Sequence, residues 1–287
     1  MTAKLLDGNA LLEAVKADLV ERVQHLGKQG VTPGLGTILV GDDPNSASYV
    51  RMKHENSGEI GIASHHLDLP ADTSQEQLAE VIRTFNEHRG IDAFLVQLPL
   101  PAGLDEERAL SAVDPDKDVD GLHPVNLGRL VMGVDAPLPC TPAGIQALLV
   151  HHGVPIAGAH VVIVGRGLTI GRPLANLLTL KRPDANAAVT VVHTGVADLA
   201  AHTRQADILV AAAGTPGIIT PEMVKPGAAV VSAGITFEGR KLVPDVDESV
   251  AEVAGWITPR LGGVGPTTRA MLLRNTVLAT ERRAARA

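Results

Sequence analysis

Short apolar runs alternate with amphipathic stretches along the whole chain of 287 residues. Gly34–Val40, Ile62–Leu67, Ala93–Leu98, His160–Val164, Ala188–His193, Ile208–Ala212 and Ala228–Ser232 are apolar and too short for helices, so they predict strands. Between them Gln75–His88, Arg172–Leu180 and Val196–Gln205 repeat apolar positions at helical spacing. The opening stretch MTAKLLDGNALLEAVK also patterns as an amphipathic helix, and Thr267–Arg286 predicts a long final one. Strands that are near-continuous hydrophobic runs separated by helices imply parallel sheets covered on both faces, an α/β protein.

A chain of this length suits two lobes. The break falls at Pro137–Pro142, where three prolines in six residues discourage regular structure. Residues 1–142 are then one α/β lobe and 143–265 a second, with the helix in 266–287 able to return to the first.

Composition narrows the function. Apolar residues make up 45% and charged residues 20%, which is enough for a core. The net charge of −7 comes without a basic stripe, and the aromatics are scattered, which argues against a nucleic-acid partner. With one cysteine, Cys140, there is neither an intramolecular disulfide nor zinc-site spacing. The first residues lack the apolar core of a signal peptide, and no apolar run reaches the ~18 residues of a membrane span. A cytoplasmic protein without membrane association is expected.

The second lobe opens with VVIVGRGLTIGRPLANLL, a strand, a glycine turn and a helix. Gly165, Gly167 and Gly171 form GxGxxxG, a variant of the dinucleotide fingerprint. The first glycine permits a tight turn, the second a close approach of backbone to pyrophosphate, and the third close packing of helix on strand. The anion then meets the free amides of the helix N-terminus. A structural glycine turn is the alternative. The next strand ends in His193 and Thr194 with no carboxylate for ribose hydroxyls, while Arg166 sits inside the turn. A guanidinium matches a ribose 2′-phosphate with two hydrogen bonds, so NADP is favoured over NAD, unless Arg166 is a solvated surface residue.

The first lobe carries the only tyrosine, Tyr49, in GDDPNSASYVRMKHEN, where Asp43–Ser46 read as a turn and N-cap. Tyr49 and Lys53 then share one helical face. A ring beside an amine suits a flat heterocycle: the ring stacks, and the lysine works as acid or base if desolvation or a cationic ligand lowers its pKa. The same spacing also fits an exposed lysine beside a half-buried tyrosine. Gln97 stands in the apolar run DAFLVQLPLP at the carboxyl end of a predicted strand, where open α/β sheets bind ligands; local backbone bonding is its other reading. In PDKDVDGLHPVNLGRL, Asp116, Asp118 and Asp120 surround Lys117 and Gly121. The later glutamate of a calcium loop is missing, so no metal is expected.

Taken together, these segments closely resemble the bifunctional methylenetetrahydrofolate dehydrogenase/methenyltetrahydrofolate cyclohydrolase family. The match runs in family order through VGDDPNSASYV-x-x-K, VQLPLP, DKDVDGLHPVNLGRL, PCTPAG, VVIVGRG-x-x-IGRP, KPGAAVV and GGVGPTT. The resemblance implies an N-terminal catalytic folate-binding domain, a Rossmann-type NADP domain and a C-terminal helix packed on the former. It implies NADP-dependent oxidation of 5,10-methylenetetrahydrofolate and hydrolysis of the product to 10-formyltetrahydrofolate, one-carbon chemistry that serves purine biosynthesis, in a homodimer. It makes Tyr49 the ring on the folate, Lys53 the residue essential to the cyclohydrolase step, Gln97 its hydrogen-bonding partner and Asp120 the anchor of the pterin amino edge. Leu98, Gly262, Gly263 and Pro266 would also touch folate. Arg166 would bind the 2′-phosphate, with Gly165, Gly167, Gly171, His193, Thr194 and Ile235 at the cofactor.

Some positions depart from the family pattern. Gly167 and Thr194 stand where serine is common, Ser232–Ala233–Gly234 replaces Asp-Val-Gly, and Arg260–Leu261 replaces Val-Pro. Two rivals remain open on sequence: a monofunctional dehydrogenase, against which Lys53 and Gln97 count, and a folate- or nucleotide-binding regulator without turnover.

Overall fold

A computed structural model describes residues 3–238 and 241–286; the first two residues and the last residue of the sequence-predicted lobes lie outside this range. In chain order the first elements are β1 Lys4–Leu5, α1 Gly8–Lys28, β2 Gly34–Val40, α2 Pro44–Glu59, β3 Ala63–Leu69, α3 Gln75–Glu87 and β4 Ala93–Val96. Then come α4 Glu106–Ala112, α5 Pro124–Met132, α6 Cys140–His151, β5 His160–Val164, α7 Gly171–Leu178, β6 Ala188–Val192 and α8 Leu199–Thr203. The last are β7 Ile208–Ala211, β8 Ala229–Ser232, β9 Ile235–Glu238, β10 Lys241–Pro244, β11 Trp256–Ile257 and α9 Val264–Ala284. The described chain forms two compact units, one of residues 3–13 with 139–268, the other of 14–138 with 269–286.

The unit of residues 139–268 holds a six-stranded sheet in the order β1-β11-β8-β7-β5-β6, parallel throughout. Its strands are fully buried at Val162, Val164, Leu209 and Val230, as expected for strands covered on both faces. The chain leaves β5 to one side for β6 and returns on the other side as β7, so the order reverses at β5. Such a switch point opens a crevice at the carboxyl ends of the strands. The unit of residues 14–138 holds a parallel three-stranded sheet, β3-β2-β4. Ile38, Leu78, Ile82 and Phe94 are buried completely beneath it, and Phe85 meets Phe94 edge to face at 5.5 Å. Each such side chain contributes about 1.5–3 kcal/mol.

The predicted final helix does pack on the unit that contains residues 14–138. Asn275 donates to the carbonyls of Val119 (2.9 Å) and Leu138 (3.0 Å), and Arg22 forks onto Glu281 at 2.9 and 2.6 Å. Arg283 binds Asp92, a buried carboxylate whose other oxygen accepts the Gly34 N–H at 2.9 Å.

The seven predicted strands are all present, with ends moved by a residue or two. Ile62–Leu67 becomes Ala63–Leu69, and Ala93–Leu98 stops at Val96. Helix Val196–Gln205 shrinks to α8, because Asp198 caps it by accepting the Ala201 N–H at 3.0 Å. Three readings need correction. The opening helix begins only at Gly8, where Asp7 accepts the Asn9 N–H at 2.9 Å, and the residues before it form β1. The proline-rich segment does not exclude helix, because α6 starts at Cys140 with Pro142 in its first turn, where a missing N–H costs nothing. The antiparallel hairpin β9–β10 and the two-residue strands β1 and β11 were not foreseen.

Candidate active site

Lys53 is where sequence and structure differ most usefully. Asp43 caps α2 by accepting the Ser46 N–H at 2.8 Å, a contact that holds its carboxyl below the usual range, and Pro44 occupies the first helical position. The helix then buries one face through Ser46, Val50, Lys53 and Ser57. Lys53 is 3% exposed, not the solvated lysine its residue type suggests. Burying an ammonium is costly unless it is paired. Here Nζ donates to Gln97 Oε1 at 3.0 Å and lies 4.9 Å from the centre of the Tyr49 ring. Gln97 follows β4, and its backbone N–H bonds Ile38 across the sheet at 2.8 Å. Gln97 also makes the local backbone bond that was its other reading, its Nε2 donating to the Leu98 carbonyl at 2.7 Å. The Leu98–Pro99 peptide is cis.

Asp120 is half-buried in the loop between α4 and α5, and the residue that shapes this loop, Asp118, is one to which the sequence reading gave no role. Asp118 is buried and accepts the N–H groups of Gly121 (3.0 Å), Leu122 (3.3 Å) and His123 (2.8 Å), and Asn126 Nδ2 at 2.9 Å. Desolvation pushes the Asp118 carboxyl above its ordinary pKa, against the pull of those donors. An aspartate three residues before a glycine with φ of 71° was a readable turn signal. Beside Lys53, His54 Nε2 and His66 Nδ1 both meet the buried Thr37 Oγ1, at 2.8 and 2.7 Å, and His66 Nε2 meets Asp68 at 2.9 Å. Burial, then the neighbouring His66 and Lys53, push the His54 pKa down.

In the unit of residues 139–268, a cavity of about 380 Å³ opens at the carboxyl ends of β5, β6 and β7. Five residues named from sequence line it: Gly165, Arg166, Gly167, His193 and Thr194. Gly195, with Ala212 and Ala213 from the end of β7, completes the wall; none of the three was singled out. The glycines fit a dinucleotide turn for distinct reasons. Gly165 has φ of 133°, and a Cβ there would lie 2.1 Å from the Ala212 carbonyl. A Cβ on Gly167 would meet nothing within 4 Å, leaving backbone open to a ligand. Gly171 does not line the cavity; a Cβ there would strike the Gly165 carbonyl at 2.1 Å, so it serves the packing of α7 on the turn. Ile235 begins β9 and is half-exposed, outside the cavity wall. At the altered 232 position, Ser232 Oγ is buried without a hydrogen-bond partner among the described residues. Gly262, Gly263 and Pro266 belong to this unit too, whereas Tyr49, Lys53, Gln97, Leu98 and Asp120 belong to the other.

A larger hollow, about 480 Å³, lies at the amino ends of β7, β8 and β11, bordered by Ile208, Ala229, Trp256 and the Asp207–Lys225 pair. Its turn glycines, Gly158 and Gly227, lead into strands rather than helices, so the smaller cavity is the nucleotide candidate. Among the described residues no helix is long and apolar enough to cross a membrane.

Comparison with known proteins gives this geometry a context. The catalytic domain of tetrahydrofolate dehydrogenase/cyclohydrolase matches residues 6–120, and the NAD(P)-binding domain of the same family matches residues 139–284. The bifunctional protein FolD of Syntrophotalea carbinolica is 59% identical over 100% of this chain and 99% of its own. The crystal structure of the bifunctional FolD methylenetetrahydrofolate dehydrogenase/cyclohydrolase from Campylobacter jejuni superposes with a TM-score of 0.93 at 41% identity, covering 98% of this chain and 99% of that one. That of the Trypanosoma brucei FolD, complexed with NADP cofactor and inhibitor, gives 0.92 at 40% identity over 100% of both chains. With both domains matched and identity this high over the full length, the chain belongs to the tetrahydrofolate dehydrogenase/cyclohydrolase family, as a bifunctional enzyme with an NAD(P)-binding domain.

Proposed function

We propose that the chain oxidises 5,10-methylenetetrahydrofolate with NADP to the 5,10-methenyl compound and hydrolyses this to 10-formyltetrahydrofolate. The observation that carries the reading is a buried Lys53 bonded to Gln97 beside the Tyr49 ring. We assign folate and both chemistries to residues 1–142 with 266–287, and NADP to residues 143–265. The compact units differ from this division at the start of the chain, where residues 3–13 cluster with 139–268.

In this reading Tyr49 stacks on the pterin, Asp120 accepts hydrogen bonds from its amino edge, and Leu98 borders it. Arg166 holds the ribose 2′-phosphate, with Gly165, Gly167, His193, Thr194 and Ile235 along the nucleotide. NADP, when bound, takes the hydride from the methylene carbon. Oxidation leaves a delocalised cation, so this step calls for alignment rather than an acid, a base or a metal. Water then adds to the methenyl carbon, the bond from that carbon to N5 breaks as the formyl carbonyl forms, and of the water's two protons one reaches N5 and the other is released. A cation beside Lys53 favours its neutral amine, which lets it carry the proton, and Gln97 orients it for that exchange.

The test is one incubation with 5,10-methylenetetrahydrofolate and NADP, following NADPH and the methenyl compound at their separate wavelengths. NADPH should accumulate while the methenyl signal stays low. No NADPH would point to a binding protein, and a rising methenyl signal to a monofunctional dehydrogenase.

A homodimer and a cytoplasmic role in supplying formyl groups to purine biosynthesis complete the proposal. In support of the dimer, β3 is an exposed edge strand of its sheet, the kind of edge another chain can cover. Light scattering on the eluted protein should give twice the chain mass.

A further inference from the structure

Asp245 is buried completely, yet it is a carboxylate in a segment that sequence reasoning left unread. It follows β10, at the base of the β9–β10 hairpin. Its Oδ2 accepts the N–H groups of Ala213 (2.7 Å) and Gly214 (2.9 Å), and its Oδ1 accepts that of Thr215 (2.8 Å). Three consecutive amides thus turn inward onto one carboxylate, with Gly214 at a φ of 63° that suits glycine. The first of them, Ala213, is part of the wall of the nucleotide cavity.

The surroundings show that this carboxylate is tightly enclosed. The backbone of Asp245 donates to the Gly234 carbonyl (3.2 Å) and accepts the Ile219 N–H (3.1 Å), while Ala233 and Gly234 both donate to the Ala211 carbonyl at 2.8 Å. Thr236 Oγ1 reaches the Gly214 carbonyl at 3.2 Å, a second tie between hairpin and loop. A Cβ on Gly234 would lie 1.9 Å from Asp245 Oδ2, so this glycine is what leaves room for the carboxylate. That accounts for Gly234 remaining glycine although its two neighbours depart from the family pattern.

We propose that Asp245 is a positioning residue for the nucleotide, holding loop 213–215 and the base of the hairpin together and so fixing the Ala212–Ala213 wall of the cavity. An aspartate suits the task because one ionised carboxylate can accept several N–H bonds, each stronger than a neutral pair. An asparagine of the same shape would turn an NH2 group towards one of the three donors. Without the anchor, the three amides would lose their shared acceptor, and the loop would move to find others. The inference rests on assigning this cavity to the nucleotide, and its test separates the two.

Asp245→Asn is compared with wild type and with Arg166→Ala in the full chain. Three quantities are read: NADP affinity by titration, hydrolysis of added methenyltetrahydrofolate without nucleotide, and amide hydrogen exchange of residues 212–215 in the nucleotide-free protein. Expected for Asp245→Asn are at least tenfold weaker NADP binding, hydrolysis within about twofold of wild type, and faster exchange confined to the loop. Gly234→Ala, whose added Cβ displaces the carboxylate without removing it, should repeat the pattern and serves if Asp245→Asn does not fold. Adding Asp245→Ala to Gly234→Ala should cost less than the two changes summed, because the clash partner is gone. Unchanged NADP affinity in Asp245→Asn while Arg166→Ala weakens it would overturn the inference alone. Unchanged affinity in both variants would remove the cavity assignment and this inference with it. Parallel loss of NADP affinity and hydrolysis, with exchange raised well beyond the loop, would make Asp245 a residue of stability only.

Discussion

The two candidate sites are built on opposite principles. The nucleotide cavity is shaped by backbone: Gly165 and Gly171 are excluded from bearing side chains by carbonyls 2.1 Å away, and Gly167 leaves its surface bare. The Lys53 site is made of side chains bonded to each other, a buried ammonium against an amide and a ring. A backbone site announces itself in sequence, since only glycine tolerates the geometry. A side-chain site does not, because burial depends on the strand and helix that close over it.

Four predictions press on this contrast. Lys53→Met should give the largest effect, a loss of about 10²–10⁴-fold in methenyl hydrolysis, the scale for removing a general acid–base group, with much of the dehydrogenase kept. The methenyl compound should then accumulate in step with NADPH. Equal loss of both activities in a folded protein would make Lys53 a binding residue. Arg166→Ala should weaken NADP by about 1.5–3 kcal/mol, the scale of a charge-assisted hydrogen bond, and leave NAD nearly unchanged in the same titration. Wild type using both cofactors equally would refute the 2′-phosphate assignment.

Asp120→Ala should impair both activities together, by about 1–3 kcal/mol, the cost of leaving a partner unpaired, since both need the same folate pose. Loss of one activity alone in the two assays would contradict the anchoring role. The smallest effect concerns His54. Because burial lowers its pKa in the folded state, the unfolded chain takes up a proton first as pH falls. Stability is therefore full above the ordinary histidine value near 6.5 and declines as pH drops below it towards the lowered folded value. Thermal melts across that window should slope downwards in wild type and less steeply in His54→Gln, and identical slopes would exclude His54.

How much was legible follows from the same contrast. The β5 run, its glycine turn and the cavity residues through Thr194 could be read because strand period and glycine chemistry are local. The pairing of Lys53 with Gln97 was implied by the family resemblance, but its burial needed α2 to close over β2. Asp118 was given no role and Asp245 was passed over, because a carboxylate that accepts backbone amides looks, in sequence, like any loop aspartate. β1 and β11 span two residues each, too few to carry a period, and find their places only by pairing with distant chain.

Asp92 and Arg283 stand 191 positions apart. During synthesis the ribosome finishes residues 14–138 long before it makes the arginine that meets Asp92 in the native fold. Over that interval the aspartate has to keep its hydration, so the final packing of this unit waits for the end of translation. The chain returns at Pro139 to build the nucleotide unit meanwhile, which makes that sheet the part able to mature first, on the emerging polypeptide. Cutting the gene at Pro139 would accordingly not yield two independent proteins: the first product would lack α9, and the second would lack β1, the edge strand of its own sheet.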